Sequence, residues 1–122
     1  MSKKILIIDD DPELCEEMAE ILESEGYLVD NASDGVKGME LLWKNIYHVF
    51  LLDFKIQGMT GIDLLKEIRK KDPKAAVFFV SGRPGLDAIL AAENLSDAVK
   101  GIIEKPFDSQ LLLEKIEACP TY

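Results

Sequence analysis

Val49-Phe50-Leu51-Leu52-Asp53 puts four apolar residues in a row and ends them on a carboxylate. An apolar run of that length without alternation reads as a strand buried on both faces, as in a parallel sheet. The next residues, Phe54 to Gly61, have neither helical nor strand period and include Gly58 and Gly61, so they read as a loop. An acid at the C-terminal tip of a central strand stands where open α/β sheets place their chemistry. It is equally the place for an aspartate that merely caps the next turn. The stretch alone leaves both readings open.

Outward from it, four more β-rich runs alternate with helical patterns. Ile5-Leu6-Ile7-Ile8 forms the core of a first strand over Lys4–Asp9, followed by Asp11-Pro12 as N-cap and first helical residue. Leu14, Met18, Ile21 and Leu22 recur at helical spacing, and Gly26 ends that helix. Tyr27-Leu28-Val29 reads as the second strand. Ser33 or Asp34 caps a second helix, with Val36, Met39 and Trp43 on one face. His48 has no second His or Cys beside it and reads as structural or solvent-facing. Ile62, Leu65 and Ile68 mark a third helix stopping before Pro73, and Ala76–Val80 a fourth buried strand ending at Ser81-Gly82. Pro84–Asn94 reads as a fourth helix, Lys100–Glu104 as a fifth strand, and Asp108 caps a last helix on Leu112 and Ile116.

Strands separated by helices imply a parallel sheet covered on both faces. Five such units suit a doubly wound, flavodoxin-like α/β sheet of order 2-1-3-4-5 with five flanking helices, rather than an eight-stranded barrel. Its switch point lies between the first and third strands, where Asp9, Asp10 and Asp53 would meet.

Composition narrows the function. The 122 residues fit one domain, 1–122, with no internal repeat or linker. A formal charge of −9 argues against a nucleic-acid surface. Cys15 and Cys119 are far apart and in no metal spacing, which suits a reducing, cytoplasmic compartment. Ile5–Ile8 is too short for a signal peptide, and no window approaches a membrane span.

The tips of the strands carry the chemistry: Asp9 and Asp10 on the first, Asp53 on the third, Ser81 on the fourth and Lys105 on the fifth. Singly, each has a commonplace use as a helix-dipole acid, a turn residue or a surface lysine. Together on one sheet edge they form a site. Carboxylates sharing a crevice repel by about 4 kcal/mol per close pair at an effective dielectric near 20. A hard divalent cation resolves this, and oxygen ligands with room for water favour Mg²⁺. Such a cation, a lysine and a hydroxyl suit a phosphoryl group carried on a carboxylate.

On these residues the chain resembles the receiver domains of two-component response regulators. The matching segments are Ile5–Asp11, Val49–Asp53, Gly58-Met59-Thr60-Gly61, Phe78–Gly82 and Lys105-Pro106-Phe107. The resemblance implies that Asp53 accepts a phosphoryl group from a partner histidine kinase or phosphotransfer protein. It implies Mg²⁺ held by Asp10, by Asp9 mainly through water, by Asp53 and by the backbone carbonyl of Lys55. Ser81 and Lys105 would contact the phosphoryl oxygens, and Lys105-Pro106 would be a cis peptide. The implied chemistry is limited to the chain's own phosphorylation and dephosphorylation. The implied output face is the fourth helix, fifth strand and fifth helix, read by a partner, an effector domain or a phosphorylation-dependent homodimer.

The chain departs from the family pattern at two places. Gln57 stands where the family often has proline, and Ile102 where it commonly has Tyr or Phe. Lys55 and Arg83, two residues beyond Asp53 and Ser81, occupy positions that in the family tune acyl-phosphate lifetime. A haloacid-dehalogenase-type hydrolase would need an Asp where Lys55 stands, and a dinucleotide enzyme a glycine-rich turn where Asp9-Asp10-Asp11 stands. The remaining alternative is a receiver-like interaction module that works without phosphorylation. Cys119–Tyr122 is too short for an output segment, so the chain is expected to be either a single-domain regulator that signals by docking or the receiver of a longer protein.

Overall fold

The computed structural model describes residues 3–120; of the short tail, Thr121 and Tyr122 lie outside them. Five strands form one parallel sheet: β1 (Lys4–Ile8), β2 (Leu28–Ala32), β3 (Val49–Leu52), β6 (Ala76–Ser81) and β7 (Gly101–Glu104), in the order β2-β1-β3-β6-β7. Ranked along the chain, this is the order 2-1-3-4-5. Helices α1 (Pro12–Ser24), α2 (Gly35–Lys44), α3 (Gly61–Lys71), α4 (Leu86–Ala92) and α5 (Ser109–Glu117) alternate with the strands. None is long and apolar enough to cross a membrane.

Alternate residues of β1 enter two separate cores, as the pleat requires. Ile5 and Ile7 pack with Cys15, Met18 and Leu22 of α1 and with Leu112 and Ile116 of α5. Leu6 and Ile8 pack with Leu42 of α2, Ile62, Leu65 and Ile68 of α3 and Leu86 and Leu90 of α4. All four residues of β3 are buried, which is why that strand has no polar period.

The helix starts follow local chemistry. Asp11 accepts from the amides of Glu13 and Leu14, with Pro12 at the first helical position. Asp34, rather than Ser33, caps α2 through Lys37 N at 2.7 Å. Thr60 and Asp63 form a reciprocal capping box on α3. Gly26 ends α1 with φ +91°, a left-handed conformation suited to glycine.

Several expectations are corrected. The stretch after Asp53 is not a structureless loop: β4 (Lys55–Ile56) and β5 (Met59–Thr60) pair antiparallel across Gln57-Gly58, with Gly58 at φ +92°. The second strand starts at Leu28 and runs on to Ala32, as a half-exposed edge. The fourth helix is shorter than Pro84–Asn94, because Gly85 takes φ +76° at its N-cap. The first strand stops at Ile8, and the fifth begins at Gly101 rather than Lys100. His48 is structural: its Nδ1 accepts from Lys4 N at 2.9 Å.

Helix α2 carries Val36, Met39 and Trp43 on one face, as read, but that face is not the buried one. Its buried face is Gly35, Gly38 and Leu42, whereas Val36 and Trp43 are 72% and 53% exposed. Close approach is the reason. A Cβ on Gly38 would lie 2.7 Å from Ile8 Cδ1, and one on Gly35 2.5 Å from Met59 Cγ. The glycine side is the only one that lets the helix sit this close, so the large apolar residues are turned outward.

Gly61, the first residue of α3, meets the sharpest constraint. A Cβ there would fall 2.2 Å from the carbonyl oxygen of Asp53 and 2.6 Å from the Phe79 ring. Gly61→Ala is expected to cost about 3 kcal/mol in urea unfolding, the upper end of overpacking; a loss below about 0.5 kcal/mol would contradict this close packing.

Candidate functional site

The parallel register brings the polar strand ends together. Ile8 pairs with Leu52, so the residues that follow, Asp9 and Asp53, leave adjacent strands side by side. The Asp53 amide donates to Ile8 O at 2.9 Å, and that of Asp9 to Ala32 O at 3.1 Å. These bonds prolong the ladder by one step and fix both carboxylates. Carboxylate oxygens of Asp9, Asp10 and Asp53 lie within 4.8 Å of one another. Asp9 is buried, Asp53 half-buried and Asp10 exposed, so the cluster opens to solvent on one side.

Lys105, just past β7, reaches into this cluster. Its Nζ is 2.8 Å from Asp9 Oδ2 and 3.5 Å from Asp53 Oδ2. The Asp9 side chain is 1% exposed, and its Oδ1 accepts from Asp11 N at 3.0 Å. Its Oδ2 has the Lys105 charge beside it but no well-directed hydrogen bond. One cation therefore serves two buried or half-buried anions, with Asp10 adding a third. Burial, then the charge of Asp9, raises the Asp53 carboxyl above its ordinary 3.8, against the opposing pull of Lys105 and the Phe54 amide. Burial works to lower the Lys105 ammonium, yet its pairs with Asp9 and Asp53 prevail and its value is raised.

The donor set fits a hard divalent cation. Every candidate ligand is oxygen, the set carries excess negative charge, one buried oxygen lacks a hydrogen bond, and the open side leaves room for water.

Ser81 is the last residue of β6 and shares a cavity of about 450 Å³ with Arg83, Ile102 and Lys105. Its carbonyl accepts from Lys105 N at 3.2 Å. Its Oγ accepts from Arg83 N at 3.0 Å, which leaves the hydroxyl proton free to donate. The Lys105-Pro106 peptide is cis. Lys55 opens β4 with an exposed side chain, two residues beyond Asp53. Asp9, Asp10, Asp53 and Lys105 are thus brought together directly, with Ser81 on the neighbouring strand end.

Two contacts were missed in the sequence. The Arg83 guanidinium stacks over the Phe54 ring at 4.7 Å, tying the loop after β6 to the residue after Asp53. Cys15 Sγ donates to the Asp9 carbonyl at 3.2 Å, and burial followed by the Asp9 charge pushes its thiol to about 11. The only hint was spacing: Phe54 directly follows one strand tip and Arg83 follows another by two.

A five-stranded parallel sheet with three acids, a lysine and a serine at one edge defines a class of phosphoryl-accepting signalling domains. The chain belongs to that class as a response regulator receiver domain, the family whose sequence profile matches residues 5–117. It is 33% identical over 115 residues to the transcriptional regulatory protein CpxR homolog of Haemophilus influenzae, covering 94% of this chain and 49% of that protein. The chain thus spans about half the length of that relative. A CheY-like receiver domain protein from Methanospirillum hungatei superposes with a TM-score of 0.87 at 32% identity, over 96% of this chain and 92% of that one. The response regulator TrrA of Thermotoga maritima, solved in complex with Mg²⁺ and BeF, superposes with a TM-score of 0.81 at 29% identity, over 94% and 96% of the two chains.

The electrostatics give two stability predictions. Removing the Lys105 charge strands the Asp9 carboxylate, so Lys105→Met is expected to destabilise metal-free protein by about 3 kcal/mol, as for a broken buried pair. Adding Asp9→Asn is expected to recover most of that loss; no recovery would contradict the pairing. Because the Asp53 pKa is raised in the folded state, its ionised form is unfavourable there. This penalty is absent at acid pH and develops as pH rises from the unfolded value through the folded one. Metal-free Asp53→Asn should therefore melt higher than the native chain at pH 7, by a margin that shrinks toward pH 3; a lower melting point at pH 7 would refute this.

Proposed function

We propose that residues 1–122 form one receiver unit in which Asp53 takes a phosphoryl group from a histidine kinase or phosphotransfer protein. The observation that carries this is the convergence of Asp9, Asp10 and Asp53 within 4.8 Å, with Lys105 against two of them. Asp53 Oδ1 is held by the Phe54 amide at 2.9 Å, which leaves Oδ2 as the nucleophile. The new bond joins Oδ2 to phosphorus, and the donor's imidazole or carboxylate departs with the electron pair of the bond that breaks.

Mg²⁺ would be held by Asp10, Asp53, the Lys55 carbonyl and, through water, Asp9, and when bound it supplies positive charge to the phosphoryl oxygens. Lys105 neutralises a further oxygen, and the free proton of Ser81 donates to another. The chain's chemistry is limited to its own phosphorylation and dephosphorylation, in the cytoplasm. The phosphorylated state would be read on α4, β7 and α5 by an effector domain, a partner or a second copy. With Ile102 in place of an aromatic ring, that face has no hydroxyl at this position to report the switch.

Incubation with Mg²⁺ and a small acyl phosphate should add one phosphoryl mass to the native chain and none to Asp53→Asn. Failure of the native chain to take up phosphate from any small-molecule or protein donor would return it to a phosphorylation-independent interaction module.

The phosphorylated state should also have a lifetime set by the cations beside it. Arg83, stacked on Phe54 at 4.7 Å, covers the residue next to Asp53, and Lys55 follows Phe54 with its side chain exposed. Lys55→Ala or Arg83→Ala is expected to change the decay rate about threefold, or about 0.65 kcal/mol of barrier; unchanged decay in both variants would remove the role.

A further inference from the structure

Among the described residues, nothing covers Val36 or Trp43 on the turned-out face of α2. Val36 (72% exposed), Trp43 (53%) and Ile46 (76%) are three of the five large apolar side chains most exposed among the described residues. Val36 and Trp43, with Met39 and Met59, border a groove of about 470 Å³ between α2 and the β4–β5 hairpin, and Ile46 lies just beyond the end of the helix. Contiguous exposed apolar surface of this kind marks an interaction site more often than scattered single residues do. Glu40 and Lys44 run along the same face, and neither enters an ion pair among the described residues.

We propose that this face joins two copies of the chain through an antiparallel, two-fold pairing of α2. The pattern is self-complementary, as an isologous contact demands. A two-fold axis at the level of residue 42 sets Glu40 of each copy beside Lys44 of the other. The same axis lays Met39 and Trp43 of one copy against α2 of the other. One placement therefore pairs both charges and covers apolar side chains that line the groove.

Charge favours this face over others. The chain carries −9, and α1 displays Glu13, Glu16, Glu17, Glu20 and Glu23 without a cation. By contrast, α2 has Lys37 and Lys44 against Glu40 alone, so two acidic molecules meet here without local repulsion. The face is distinct from α4, β7 and α5, and the pairing requires no phosphoryl group. A contact built mainly on one helix falls short of the ~1,200 Å² of a standard specific interface, so it forms reversibly at high protein concentration.

Sedimentation of unphosphorylated protein at about 0.15 M salt, where the Debye length is about 8 Å, tests it. The native mass should climb toward that of a dimer as concentration rises from micromolar to millimolar, while Trp43→Glu stays monomeric. Glu40→Lys and Lys44→Glu should each weaken association about tenfold, and the two together in one chain should restore it, with circular dichroism confirming that each variant folds. A native chain that stays monomeric leaves the face to a different partner and overturns the proposal. So does a double variant that folds but fails to recover.

Discussion

The contact between Lys105 Nζ and Asp9 Oδ2, at 2.8 Å, is the constraint on which the site depends. Asp9 is nearly inaccessible, and a carboxylate in that position persists only if charge and hydrogen bonds compensate it. The lysine that supplies the charge comes from the opposite end of the sequence. Its backbone is pinned to Ser81 through the bond from Lys105 N to Ser81 O. The strand order makes the meeting possible: β1, β3, β6 and β7 end on one edge, so residues about a hundred positions apart become neighbours. Because that single ammonium also faces Asp53, the cluster remains short of positive charge. The deficit makes the site receptive to a divalent cation.

The same feature would poise Asp53 for its proposed role as phosphoryl acceptor. A carboxylate shielded from water but with one oxygen held by an amide has little freedom to reorganise, and its negative charge is poorly solvated. Both conditions favour attack on an incoming phosphoryl group over idle hydration. The hairpin after Asp53 adds a second tether, since Gly35 N donates to Gln57 O at 3.0 Å and so ties α2 to the hairpin. Gly61 lets α3 begin against the Asp53 carbonyl. Asp53 is therefore braced from two helices as well as from its own strand.

The sequence was most legible where burial was complete. Ile5–Ile8, Val49–Leu52 and Ala76–Val80 have no polar alternation, and this alone marked them as central parallel strands. The site acids were legible for a related reason, because a charge terminating an apolar run is conspicuous. Which face of α2 meets the core was not legible. Val36, Met39 and Trp43 recur at helical spacing, yet glycines face the core, and glycine contributes nothing to an apolar period. The hairpin at Lys55–Thr60 was also hidden, since two-residue strands are too short to display alternation. Pairing between Phe54 and Arg83 depends on tertiary approach that no local pattern encodes.

The central claim, that crowded carboxylates at these strand ends select a hard cation, is tested most directly by titrating metal-free protein with Mg²⁺ and following backbone amide resonances. One Mg²⁺ should bind, with the largest shifts at residues 9, 10 and 53–55. The exposed Asp10 can be changed without disturbing the core, and Asp10→Asn should weaken binding at least about tenfold, or about 1.4 kcal/mol. Absence of binding at millimolar Mg²⁺, or an affinity indifferent to Asp10, would contradict the account.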